Sequence, residues 1–330
     1  MGHWSIKNRY NMGKYILKRS GLLLITFSII TIVYFVTIRL MPIDREAPFG
    51  VDPTYWANVI IREGWDRPII EQFWFWLRNI ITRGDFGFSR SQTRNSMLVL
   101  RDRIPITVRL NLIPFFIAVP AGFALGVVAA LKKNKWQDHV ISFVVMLFIS
   151  VPSFVVAVLG QYFLVYRWRI LPHAFVLPSA EAAIDPWGNI LSRILPTFVL
   201  ASGTIAALTR NLRAELTEIL TSDFMVLAKA KGLTSRQATV RHALRNAFVP
   251  FAPAITGGFI GLLGGSFVIE QAFRVPGIGR MYLTAFNTRD LNLIMLLMMF
   301  YTFLGLVAQI LGDISYGIVD PRIKMGAGLQ

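Results

Sequence analysis

The 330-residue chain contains no cysteine, which excludes disulfide staples, thiolate metal sites and a cysteine nucleophile. Charge is scarce as well: 16% of the residues are charged and 54% hydrophobic, whereas an average soluble domain carries about 25% charged residues. A water-facing globule cannot hide that much apolar surface. Acids are scarcer than bases, 18 against 34, for a net charge of +16; the excess suits an anionic neighbour such as nucleic acid, lipid headgroups or an acidic partner. Four scattered histidines (His3, His139, His173, His242) have no metal-ligand spacing. The phosphate-cradling G-x-x-x-x-G-K-[ST] sequence, H-E-x-x-H and a nucleophile elbow are also missing. The chain is therefore expected to be no enzyme and to hold no cofactor or metal of its own.

What it has is long charge-free runs. Six of them cover residues 20–38, 110–131, 140–166, 194–209, 246–269 and 291–312, and a bilayer core of about 30 Å takes roughly 20 apolar helical residues to cross. The expected fold is therefore all-α, a polytopic membrane protein with six transmembrane helices. The fourth run, 16 residues, is short for a crossing and is expected to borrow Arg193 or Arg210 at its ends by snorkelling. All nine lysines fall in the N-terminal tail, the second and fourth connections or the C-terminal tail. With six crossings these share one side, so both termini are expected to be cytoplasmic. The connection over 41–104 carries nine arginines offset by eight acids, and long external segments translocate regardless of charge.

The expected organisation is a basic tail at 1–19, a first span at 20–40 and an external segment with short helices at 41–106. A five-helix core at 107–318, including a loop at 210–245, and a tail at 319–330 complete it. The first span is expected to stay uncleaved, because its apolar stretch is too long for a signal peptide and no small-residue cleavage site follows. In the external segment, the aromatic stretch 68–77 suits either the lipid interface or the core of a small subdomain. Pro114, Pro120 and Pro152 within spans permit bends; Gly257, Gly258, Gly261, Gly264 and Gly265 in the fifth permit close helix approach or gating. Glu270, Arg274 and Asp313, near the span edges, are expected to make interfacial or interhelical pairs.

The connection 210–245 is too long for a turn and rich in helix formers. It reads as two helices with a tight corner. The first runs from about Asn211 to Lys231 and stops at Gly232, the residue type suited to the left-handed conformation past a helix end. Thr234 with Gln237 three positions later is a capping-box signature for the second, which runs from Ser235 to Arg245. A basic helix-turn-helix invites a DNA reading through Arg236, Gln237 and Arg241, but a corner embedded between two spans leaves no free module to lie in a groove. No nucleic acid is expected. A rigid cationic corner that fits a groove on a cytoplasmic partner is the better reading.

Here the residues carry a resemblance. Met225-Val226-Leu227-Ala228-Lys229-Ala230-Lys231-Gly232-Leu233 with Arg241-His242-Ala243-Leu244-Arg245-Asn246-Ala247-Phe248-Val249-Pro250 resembles the coupling loop of ATP-binding-cassette importer permeases, in the form used by the dipeptide and oligopeptide permease family, first-permease (B-type) subunit. Gly84-Asp85-Phe86-Gly87-Phe88-Ser89 is similar to that family's external motif before the second span. Phe273-Arg274-Val275-Pro276-Gly277-Ile278-Gly279-Arg280 resembles its connection between the last two spans, and Arg289-Asp290 and the stretch from Asp313 to Ile323 are family-like too. Leu291-Asn292 departs from the Tyr-Pro often found there.

The resemblance implies a type I ABC importer permease fold and a five-part importer in a bacterial or archaeal cytoplasmic (inner) membrane. Its partners would be a homologous second permease, two cytoplasmic ATPases that use ATP and Mg, and an extracytoplasmic solute-binding protein. It further implies that Ala228, Ala230, Gly232, Leu233, Arg236, Arg241, His242 and Arg245 couple to an ATPase, with Gly232 making the turn and Ala228 allowing close approach. Gly84, Asp85, Gly87, Ser89, Pro276, Gly277, Gly279 and Arg280 would form the external contact with the binding protein. The family's cargoes range over dipeptides, oligopeptides, glutathione, nickel chelates, peptide antibiotics and some oligosaccharides. A six-span carrier driven by an ion gradient is the competing class, and it would need polar ion ligands at mid-membrane.

Overall fold

The computed structural model describes residues 3–41, 46–47, 50–172 and 185–319. It is almost entirely helical. In chain order the helices used below are α1 (His3–Arg39), α2 (Pro53–Arg62), α3 (Ile69–Arg83), α4 (Ser96–Leu131), α5 (Trp136–Ser150), α6 (Ser153–Gly160), α7 (Pro186–Leu220), α8 (Asp223–Ala230), α9 (Ser235–Ala238), α10 (Leu244–Phe248), α11 (Phe251–Gly261), α12 (Phe267–Ala272), α13 (Ile278–Asn287) and α14 (Leu291–Val319). A two-stranded antiparallel ribbon, β1 (Phe88–Ser89) with β2 (Arg94–Asn95), precedes α4. His173, Lys324 and the C-terminal tail lie outside the described residues.

Among the described residues four helices are long and apolar enough to cross a membrane: α4, α7, α14 and the part of α1 from Tyr15 to Arg39. The third charge-free run is a broken span, α5 and α6 bent by 96°. The break falls at Val151 and Pro152, because proline lacks the amide proton a continuing helix needs and pushes the residue before it into extended conformation; Val151 has ψ 120°. Pro105, Pro114 and Pro120 instead sit inside the continuous 36-residue α4, so sequence position alone does not say which proline breaks a span. The fifth run is likewise not one continuous helix. It is divided among α10, α11 and α12, and α11 has 11 residues, about 16 Å at 1.5 Å each. Pro250 and the left-handed Gly265 (φ +73°) interrupt it.

The short fourth run is the middle of a 35-residue helix, α7. Polar residues beyond the apolar window continue the helix at both ends, so snorkelling from Arg193 or Arg210 is not needed to reach across. The basic tail is likewise no separate segment, since α1 begins at His3. Near its start, the Tyr15 hydroxyl donates to Asp313 (3.1 Å) and Arg19 pairs with the same carboxylate (3.2 Å), the interhelical pairing expected of Asp313.

The centre of the bundle is the α4–α7 pair. Ala118, Gly122, Gly126 and Ala130 of α4 are small and four apart, and the backbones approach closely: a Cβ at Gly122 would stand 2.8 Å from that of Leu208, and one at Gly126 would stand 2.9 Å from that of Leu212. Thr209 donates across the contact to the Gly122 carbonyl (3.1 Å). Small-residue contact of this kind is how helices associate where no hydrophobic drive separates protein from lipid. Of the fifth-run glycines, Gly258 and Gly264 pack against Phe115 and Tyr301, while Gly257 and Gly261 face open space.

Candidate functional site

At one end of the bundle the chain builds the expected corner, with one change of register. The first helix does not run unbroken from Asn211 to Lys231. α7 stops at Leu220, Thr221 and Ser222 turn the chain, and α8 starts at Asp223. Gly232 then takes a left-handed turn (φ +88°). Thr234 and Gln237 form the reciprocal capping box, their side chains each bonded to the other's backbone N–H (3.3 and 3.1 Å). The helix that follows passes through a π-helical turn, Thr239–Ala243, into α10.

The corner has its own core. Met225 and Ala228 on α8 and Ala238, Ala243 and Ala247 beyond the turn pack on Leu212 and Leu216 of α7. Ala228 is thus buried, and its small size serves the corner's internal packing, not the outer face. Ala230, Gly232, Arg236, Arg241 and Arg245 are exposed, with Leu233 and His242 half-buried. Sequence reasoning missed the apolar part of that face: Val226 is 64% exposed, Leu227 54% and Val240 57%. The signal was there, since Met225 and Ala228, three apart, define the inner face of α8 and leave Val226 and Leu227 outside it. Phe224 meets His242 edge to face at 5.5 Å and ties the two helices together.

A buried brace stands behind the corner. The Asp138 carboxylate, 2% exposed, accepts from Arg213 (Nη2 2.8 Å), from the Asn134 N–H (3.0 Å) and from the Ser142 hydroxyl (3.3 Å). It fastens the α4–α5 connection to α7 about two turns before the corner. Asp138, in the first turn of α5, is the single acid beside the three lysines of that connection, the one hint the sequence offered.

The other end holds two polar locks. Gly84 caps α3 in left-handed conformation (φ 61°), and Asp85 accepts from the Gly87 N–H (3.0 Å) and the Asn95 amide (2.9 Å). Asp290 accepts from Ser89 Oγ (2.6 Å), Ser91 N–H (2.8 Å) and Ser91 Oγ (2.8 Å). Asn292 donates to Glu63 (2.6 Å) and the Phe88 carbonyl (3.1 Å). A Cβ at Gly87 would stand 2.7 Å from that Asn292 amide. The departure from Tyr-Pro is therefore filled by a side chain that joins two segments. In the second lock, the fully buried Glu270 accepts from Thr107 Oγ1 (3.0 Å) and the Arg280 N–H (3.1 Å), while Ile278 N–H donates to Thr107 (2.8 Å). Gly265 and Gly277 leave no room beside that carboxylate for a Cβ, and Gly279 lies against the Phe267 backbone.

The residues expected at the outer contact differ in how far they stand open. Ser89, Gly277 and Gly279 are buried, Asp85, Gly87, Pro276 and Arg280 are half-buried, and Gly84 alone of the set is exposed. These residues hold the outer loops together, and five of the eight keep exposed or half-buried surface. Arg103 donates to the Pro276 carbonyl (3.0 Å) and Arg280 to that of Arg274 (2.7 Å). Among the described residues no cluster of three His, Asp or Glu is placed to hold a metal. Between α4, α5 and α7 lies a largely apolar cavity of about 900 Å³. A smaller one of about 210 Å³ lies between α4, α7 and α11 and is lined in part by Asn111, Thr204 and Gly258.

Sequence comparison assigns this helical bundle with its self-packed corner to a family. Residues 122–325 match the family described as the binding-protein-dependent transport system inner membrane component. The chain belongs to that family. It is 34% identical over 319 residues to the dipeptide transport system permease protein DppB of Bacillus subtilis, covering 95% of this chain and 99% of that protein. DppB of Lactococcus lactis is 32% identical over 315 residues, with 95% and 100% covered. The oligopeptide permease protein OppB of Haemophilus influenzae is 32% identical over 324 residues, with the same coverage. Among solved structures it is similar to the inward-facing MetNI methionine ABC transporter, with a TM-score of 0.49, 18% identity and coverage of 68% of this chain and 97% of that one. Family membership and the full-length relatives make the all-α, multi-pass chain a permease subunit of an ABC importer.

Proposed function

We propose that the chain is the B-type permease of an ATP-driven peptide importer in a bacterial inner membrane, with both termini cytoplasmic. It forms half of the translocation pathway beside a homologous second permease. An extracytoplasmic binding protein delivers the cargo, and two cytoplasmic ATPases, which bind the ATP and Mg, supply the energy. The observation that carries the reading is the corner: its core is satisfied internally, yet Val226, Leu227 and Val240 stay exposed beside Arg236, Arg241 and Arg245. An exposed face that is both apolar and cationic suits a groove with an acidic rim. Rigidity lets closure of the ATPase pair move the permease helices between two states, and the Asp138–Arg213 brace ties that motion to α5.

Peptides are the proposed cargo because full-length relatives named as dipeptide and oligopeptide permeases match end to end. The test is uptake of labelled peptides by vesicles holding the full complex, together with its ATP hydrolysis. At Gly232 a Cβ would meet nothing within 4 Å, but φ is +88°, so Gly232→Val strains the turn by about 1–2 kcal/mol without a clash. Insertion should persist while ATP hydrolysis no longer drives uptake; normal uptake in this variant contradicts the docking role.

A further inference from the structure

Helix α3 carries three stripes where an ordinary surface helix carries two. At roughly 100° per residue, Gln72 and Trp76 fall on one side, where Trp76 and Phe73 pack on Phe35 of α1 with ring centroids 5.1 and 5.2 Å apart. Glu71, Arg78 and Thr82 share a polar, exposed side together with the preceding Arg67. Between them a third stripe, Ile70, Trp74 and Ile81, is apolar and left open, at 75%, 66% and 73% exposure. The spacing of four and seven residues puts these on one line along the helix.

Depth in the membrane is set by α1. Arg39, its last residue, ends the apolar span and lays its guanidinium over the Trp65 ring at 3.3 Å, which marks the headgroup level because charge is excluded from the hydrocarbon. Phe35 lies one turn further in, about 6 Å. Because α3 rests on Phe35, it lies at that level or slightly below it. Val33 and Val36, on either side of Phe35 in α1, are exposed apolar residues as well.

We propose that α3 lies in the plane of the membrane interface with Ile70, Trp74 and Ile81 in the acyl-chain boundary of the phospholipids. Three stripes match three surroundings: protein on one side, hydrocarbon beneath, water above. Arg67 and Arg78 on the upper side are placed to meet lipid phosphates. The helix so anchored holds the end of the chain that carries both polar locks at a fixed height over the bilayer. The proposal rests on α1 crossing the membrane and is independent of the cargo.

The natural absence of cysteine makes the test direct. Spin labels are placed singly through Ile70→Cys, Trp74→Cys and Ile81→Cys, and through Glu71→Cys and Arg78→Cys. Each is measured in the full complex in vesicles of phosphatidylethanolamine and phosphatidylglycerol, with the signal of the unsubstituted complex subtracted. The ratio of accessibility to oxygen over a water-soluble nickel chelate should be severalfold higher at 70, 74 and 81 than at 71 and 78. Equal, chelate-dominated accessibility at all five positions overturns the proposal, placing the stripe in water. So does protection from both reagents at 70, 74 and 81, which places a partner protein there. The three lipid-side positions report independently, so one poorly folding variant does not void the result. Peptide uptake measured in the same vesicles tells a failed cargo assignment from a misplaced helix.

Discussion

Arg213→Ala and Asp138→Ala remove opposite halves of one ion pair, and the structure predicts unequal costs. Asp138 is 2% exposed and Arg213 34%. Removing the arginine leaves a buried carboxylate that retains only the Asn134 N–H and the Ser142 hydroxyl; breaking a buried pair in this way costs about 3–5 kcal/mol. Removing the aspartate leaves a guanidinium that can reach water, so the loss reduces to one orphaned backbone donor and the lost bonds, about 1–3 kcal/mol. The double variant should lose less than the two single losses combined, with a coupling of about 0.5–3 kcal/mol. The assay is reversible unfolding of the full chain in mixed micelles as detergent composition changes, followed by tryptophan fluorescence. If Asp138→Ala costs as much as Arg213→Ala, the burial argument is wrong. If both cost under about 1 kcal/mol, the pair behaves as a surface bridge and the brace does not exist.

Gly277→Ala inserts a methyl group where Glu270 and the Thr107 hydroxyl already touch and should destabilise by about 1–3 kcal/mol. Gly257→Ala, facing open space, should stay within about 0.5 kcal/mol, and melting of the two purified variants compares them. Asp290→Asn replaces an oxygen that accepts three donors with a group in which an amide nitrogen competes for that place. It should cost about 1–3 kcal/mol and speed proteolysis of residues 84–95; an unchanged cleavage rate argues against the lock. Arg241→Glu with Arg245→Glu alters two exposed residues, so the chain should insert normally but copurify with less ATPase; undiminished copurification removes these residues from the docking face.

Much of the site was legible one residue type at a time. Gly232 and the Thr234–Gln237 pair announce a tight corner because left-handed backbone and reciprocal capping are local demands that only certain residues meet. The break inside the first corner helix was hidden, since Thr221 and Ser222 are tolerated in helices and no proline or glycine marks the spot. The outer motifs were visible as motifs but not as locks. Ser89 and Asp290 are 201 positions apart, Thr107 and Glu270 163 apart, and no local pattern pairs them. A glycine such as Gly277 reads as a flexible exposed turn until the carboxylate pressed against it is seen.

By itself the sequence determined the class: scarce charge, long apolar runs and lysines confined to four segments specify a membrane bundle because hydrocarbon rejects charge wherever the chain lies in it. Tertiary structure alone decided which prolines bend, where the fifth run breaks and which motif residues face inward. Those outcomes depend on contacts between residues far apart in the chain. Pro152 yields and Pro120 does not, and Ala228 turns inward while Val226 stays outside, because neighbouring helices, not the local sequence, supply the atoms each must meet.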